Sequence, residues 1–137
     1  MTDEREAIPV LGFRAGDLCL AVAAEDVTAV ENAHPDVVHI AALLEVEPAP
    51  LSEAQRVIHV RAVNAGGAYV TSAFRADPPV EVMLCRAGHI VPMAGGARPL
   101  HVQPIMGFAR IDDRMHLLLD IESVIRALRH ERAGEES

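Results

Sequence analysis

Residues Met106–Ile125, MGFARIDDRMHLLLDIESVI, constrain this chain more than any other stretch. The run reads as a strand, a tight turn, a second strand and a capped amphipathic helix. Phe108 and Ile111 fall in the first strand, Asp112-Asp113 at the turn and Met115–Leu119 in the second strand. Aspartates tolerate the unusual backbone angles of a tight turn. Leu117, Leu118 and Leu119 in succession predict burial on both faces. Asp120 is placed as the helix N-cap, its carboxylate accepting backbone N–H bonds of the first turn. Ile121, Val124, Ile125 and Leu128 follow at i, i+3, i+4 and i+7, one stripe to pack on a sheet. Arg126 and Arg129 stand near the C-terminal end, where the helix dipole favours positive charge. Nothing in the run has the type or spacing of a catalyst. It is a packing and docking element.

Composition narrows the class further. At 137 residues the chain suits one domain, or two small subdomains sharing a core. Half of the residues are hydrophobic but only 3% are aromatic, so the core must be aliphatic. No stretch approaches the ~18 consecutive apolar residues of a membrane helix. The opening, MTDEREAIPV, is acidic and lacks the apolar centre of a signal peptide, so a cytoplasmic protein is expected. A net charge of −8 argues against direct binding to nucleic acid or to an anionic membrane, which need a basic footprint. There is no Lys, which excludes Schiff-base lysine chemistry and the phosphate loop ending in Gly-Lys-Ser/Thr. Cys19 and Cys85 are far apart and belong to no Cys-x-x-Cys pair. Cys19, in an apolar strand pattern, is expected to be a small buried hydrophobe.

Along the chain, residues 1–8 read as a flexible charged tail, 9–129 as a single domain of two subdomains, and 130–137 as an acidic tail. Val10–Phe13 and Leu18–Val22 look like strands around Arg14-Ala15-Gly16-Asp17, with Leu18, Leu20 and Val22 on the bulkier apolar face. Val27 and Val30 mark a short element, and Asn32, His34 and Pro35 a break. Val38–Val46 is a helical candidate, with Ile40, Leu43 and Leu44 as its stripe, stopped by Pro48 and Pro50. Val57–Val63 and Ala68–Phe74 form a hairpin around Asn64-Ala65-Gly66-Gly67. Pro78-Pro79 is expected to break the chain before another strand, Val80–Leu84, and Gly88–Pro104 to be loop. Short strands with Gly/Pro punctuation and two short helices predict a mainly β, barrel-like or sandwich architecture.

Candidate chemistry is sparse. His34, His39, His59, His89, His101, His116 and His130 form no His-x-His, His-x-x-x-His or His-Glu-x-x-His pattern, so no metal site is assigned. Cys85 and His89 could form a thiolate–imidazole pair, but no third orienting group is evident, and an ordinary cysteine is the reading adopted. Ser52, Ser72 and Ser123 lack a nucleophile elbow. Asp112 and Asp113 would need a shared pocket to act as a catalytic dyad, and a hairpin tip leaves them solvated. Gly95-Gly96 could cradle a phosphate, but Pro99 follows too soon for a helix, and a loop is the better reading. No catalytic residue and no cofactor is assigned.

The chain resembles the CheW-like domains, the scaffold modules of bacterial chemosensory systems. The resemblance is strongest over Gly107, Asp112, Asp113, Arg114, Leu117–Leu119, Asp120, Ile121 and Ile125. It extends to the opening Phe13-Arg14-Ala15-Gly16-Asp17, to Leu18–Val22 and to the Val-x-x-Val element Val27–Val30. Asp77, Val82, Ile90 and Pro92 match a third, weaker pattern, disturbed by Pro78 and Pro79. The family usually has, after Val-x-x-Val, about 25 residues with an Arg-Gly signature, on the order of two to three strands. Here only Glu31–Asp36 separates Val30 from Val37, and Val37-Val38-His39-Ile40 stands where Val-Val-Asp-Leu belongs.

The resemblance implies a pair of small SH3-like β-barrels, the first trimmed, with a short internal helix and a C-terminal helix. It implies a non-catalytic adaptor that binds the cytoplasmic tip of a methyl-accepting chemoreceptor, with docking to the CheA-type histidine kinase weakened or lost. Another CheW or a second copy of this chain are further partners it allows. Val27, Val30 and Phe108 are the candidate partner-binding residues; Val27 and Val30 could equally be core valines, and core packing suits Phe108. Two other classes stand beside this reading. A trimmed barrel exposes edge strands and so could make a self-associating structural module, and a metal-dependent enzyme would need a convergent polar site.

Overall fold

Alternating apolar and polar side chains set most of this chain into strands. The computed structural model describes residues 6–93 and 104–136. In order these form β1 (Ala7–Ala15), β2 (Leu18–Ala23), β3 (Val27–Asn32), β4 (Arg56–Val63), β5 (Tyr69–Arg86), β6 (Ile90–Pro92), β7 (Ile105–Ile111), β8 (Arg114–Leu119) and α1 (Ile121–Glu136). The strand order is β3-β4-β5-β1-β2-β8-β7-β6. Neighbours pair antiparallel except β2 and β8, which run parallel through Leu20↔Leu117 and Ala21↔Leu118.

The mainly β, two-part architecture follows from strands that face two cores at once. The larger core takes Leu11, Leu20, Val22 and Leu119 together with Ile58, Phe74 and the α1 stripe Ile121, Val124, Ile125 and Leu128. The smaller takes Val10, Ala21, Cys85, Ala109, Ile111 and Leu118. Successive side chains in a strand point to opposite faces. Val10 and Leu11, Leu20 and Ala21, and Leu118 and Leu119 therefore serve different cores, and the central strands form the partition. The Leu117–Leu119 run is buried on both faces for this reason. Phe13 and Phe74 meet in the larger core with ring centroids 5.3 Å apart.

The turns follow their residues. Asp112 and Asp113 both adopt positive φ, 50° and 63°, as a two-residue turn between β7 and β8 requires. Gly16 has φ 60° in the β1–β2 turn. Asn64 Oδ1 accepts from the Gly66 and Ala68 amides and holds the β4–β5 turn. Asp120 does begin α1, its carbonyl accepting from Val124 N–H. Its carboxylate, however, accepts from the Ser123 hydroxyl at 2.6 Å where bonds from the backbone were expected.

Six expectations need correction. Pro78-Pro79 does not end a strand: β5 runs through it for 18 residues. The prolines sit at a bulge, where Gly12↔Glu81 gives way to Arg14↔Asp77 and β5 passes from β4 to β1. A residue without an N–H is tolerated at such a point, where the ladder is already interrupted. The helical candidate Val38–Val46 is only a 3-10 turn, Ile40–Leu43, followed by Glu45 at φ 55°. Chain 1–8 is not all tail, because Ala7 and Ile8 pair with Arg86 and Cys85. The acidic end is not a separate tail either, since α1 continues to Glu136. Cys19 is half-buried, not enclosed, and both cysteines are free. Gly88–Pro104 is not all loop, because Ile90–Pro92 forms β6 and pairs with β7. His101, Gly95-Gly96 and Pro99 lie outside the described residues.

Candidate functional site

Among the described residues, the one dense polar cluster is structural in its geometry and was not singled out in the sequence. Asp77 is 7% exposed, beside His39 at 4% and Gln55 at 1%. Its Oδ1 accepts from His39 Nε2 and from Gln55 Nε2, both at 2.9 Å, and its Oδ2 from the Gly16 amide at 2.8 Å. His39 Nδ1 accepts from the Ala41 amide at 3.0 Å. That acceptor role leaves the imidazole proton on Nε2, aimed at Asp77. Burial by itself raises the Asp77 pKa, but the Gly16, His39 and Gln55 bonds outweigh it and hold the carboxyl below its ordinary range. Gln55 Nε2 also donates to the Pro50 carbonyl at 3.0 Å.

The cluster ties four distant pieces together: the β1–β2 turn, the 3-10 turn, the approach to β4 and the point where β5 changes partner. It holds no nucleophile. It resembles a buried pin more than a reaction centre, because each polar atom is spent on another part of the fold.

The other sequence candidates are dispersed. His116 Nδ1 donates to the Arg114 carbonyl at 3.0 Å, His59 pairs with Glu31 at 2.9 Å on the surface, and His34 lies 3.8 Å from Asp36. Among the described residues no group of three or more His, Cys, Asp or Glu could hold a metal ion. Cys85 is enclosed in the smaller core, where burial pushes its thiol pKa up, the opposite of an activated thiolate. Asp112 and Asp113 stand at the hairpin tip, with Arg110 Nη2 3.6 Å from Asp113.

The partner-binding candidates do not converge. Val27, half-buried, packs against the larger core and pairs with Val60. Val30 is 43% exposed on β3, a terminal strand of the sheet. Phe108, half-buried, lies on β7 between Val91 and Leu117, near the other end of the strand order. Sequence reasoning missed a more exposed apolar pair. Val82 and Leu84, on one face of β5, are 68% and 66% exposed. They alternate with Met83 and Cys85, which serve the smaller core, but all four are apolar, so the sequence carried no signal for which pair is exposed. Among the described residues no helix is long and apolar enough to cross a membrane.

No protein-family model matches the sequence, and no curated protein matches it. A solved structure does match. The scaffolding protein TtCheW from Thermoanaerobacter tengcongensis superposes with a TM-score of 0.66 at 14% sequence identity, covering 84% of this chain and 90% of that one. The eight strands, the two cores and the C-terminal helix of this chain therefore form a CheW-like fold.

Proposed function

We propose that this chain is a non-catalytic, cytoplasmic adaptor of a bacterial chemosensory complex. It docks the helical cytoplasmic tip of a methyl-accepting chemoreceptor and binds the CheA-type kinase weakly or not at all. The observation that carries the reading is a CheW-like fold over 84% of the chain; the weaker kinase docking rests on the sequence, where only Glu31–Asp36 stands between Val30 and Val37. The connection from β3 to β4 contains only a 3-10 turn and one bridge, His39↔Arg75. On this reading the first barrel offers the kinase less docking surface, while the rest of the fold is kept.

Receptor docking needs exposed apolar anchors for an amphipathic helix. Val30 serves best among the three sequence candidates, because its side chain is exposed while Val27 and Phe108 are half-buried. Val82 and Leu84 add a second apolar surface on β5.

Paired calorimetric titrations test the reading. One uses the receptor's cytoplasmic tip and the other the regulatory domain of the kinase. Receptor binding without kinase binding is expected. Kinase affinity equal to that of a full-length CheW would overturn the loss of docking, and binding to neither would overturn the adaptor. A second reading, self-association, has one observation of its own: β3 ends the sheet with Val30 exposed on it. Sedimentation at increasing concentration separates a dimer from a monomeric adaptor.

A further inference from the structure

β5 carries an open main-chain edge inside a cleft. Asn64 N–H donates to the Ala68 carbonyl, so the bonded β4–β5 pairs alternate onward from that turn through Val70, Ser72 and Phe74. The intervening residues direct N–H and C=O away from β4. Arg75 shows this outward direction, since its N–H donates to the Val38 carbonyl at 2.8 Å. From Asp77 onward β1 takes over the same edge. Thr71 and Ala73 lie before both, and among the described residues no strand pairs with their outward side.

This gap opens into a cleft of about 520 Å³. Thr71 and Ala73 line it from β5 and Thr28 from the start of β3, with Val60 and Leu128 among its walls and Asp36 at its rim. The segment ending at Val38 already occupies the edge as a stub beside Arg75.

We propose that the Thr71–Ala73 edge is a strand-acceptor site for an extended, non-acidic peptide segment of a partner protein. Four main-chain groups on Thr71 and Ala73 bind the segment's backbone. Alternate side chains then face the apolar walls Val60 and Leu128, and the others face solvent near Asp36. The lining holds Asp36 and His59, with the Arg75 guanidinium donating to the Val37 carbonyl beside them; the chain's overall charge of −8 still favours a cationic segment over an acidic one. A second copy of this chain fits less well, because its β3 edge brings β4 with it into a space bounded on two sides.

Amide exchange by NMR on the full chain tests it, with a capped hexapeptide alternating valine with threonine and arginine as the probe. In the free protein the Thr71 and Ala73 amides should exchange roughly a hundredfold faster than those of Ser72 and Phe74, which bond to β4. Saturating peptide should slow Thr71 and Ala73 by roughly tenfold. The same peptide N-methylated at alternate residues, or with glutamate for arginine, should lose most of that effect. Three results would overturn the proposal: protection of both amides in the free monomer, protection that grows with protein concentration alone, or peptide effects confined to β3 or absent altogether.

Discussion

Replacing Asp77 by alanine removes one carboxylate and strands three donors, the Gly16 amide, His39 Nε2 and Gln55 Nε2. A buried donor without a partner costs about 1–3 kcal/mol. The carboxylate side chain is 10% exposed, so water reaches part of the vacated space and the three costs do not add in full. A loss of about 4 kcal/mol is expected against a total stability of about 5–15 kcal/mol. With a urea m-value of about 2 kcal/mol/M, that moves the unfolding midpoint down by about 2 M. Asp77→Asn keeps one oxygen for His39 and Gln55 but turns an NH₂ group against the Gly16 amide, or the reverse, and should cost about 1–3 kcal/mol. The sign of the pH effect follows from the lowered Asp77 pKa. A carboxyl whose folded value is depressed contributes stability above its unfolded value and loses it as pH falls through the folded one, here below 3.8. The gap between wild type and Asp77→Asn should therefore be full at neutral pH and close in acid. Urea titrations at neutral and acidic pH measure both effects. A midpoint shift under about 0.5 M for Asp77→Ala would refute the idea that this cluster pins the fold.

Asp26 carries the opposite sign: burial, then Glu25 and Asp120, raise its pKa. Its ionised form is disfavoured in the fold, so Asp26→Asn should raise the melting temperature at neutral pH, with a gain that fades in acid. Phe74→Ala empties the larger core beside Phe13 and should cost about 3–5 kcal/mol by urea unfolding. Gly107→Ala places a Cβ 2.5 Å from the Val91 carbonyl oxygen. It should release β6 from β7, seen as faster amide exchange there, with about 1–3 kcal/mol lost. Asp113→Gly relieves a left-handed residue at φ 63° and should stabilise by roughly 0.5 kcal/mol, net of the glycine entropy cost, read as a small rise in melting temperature.

Local periodicity made much of the fold legible. The apolar stripe of α1, the aspartate turn at 112–113 and the Asn64–Gly67 turn depend on residues a few positions apart, and each stands as its pattern implies. The CheW-like resemblance rested on the same short-range runs, and the superposed fold agrees with it. The breaks were harder. Pro78-Pro79 has the chemistry of a strand end, yet the partners on either side, β4 before it and β1 after it, carry the strand through. Val38–Val46 has helical spacing, but Val38 and His39 are drawn onto the edge of β5 and leave only a 3-10 turn.

The candidate docking residues divide along the same line. The family resemblance named Val27, Val30 and Phe108, since it matches residues position by position. Exposure is not a property of single positions, because it depends on what other strands cover, and so Val82 and Leu84 emerge only once β1 and β5 are paired. Asp77, His39, Gln55 and Gly16 lie far apart along the chain, and no spacing rule links them. Their meeting, like the open edge at Thr71 and Ala73, depends on strand register, which long-range packing decides and local sequence does not.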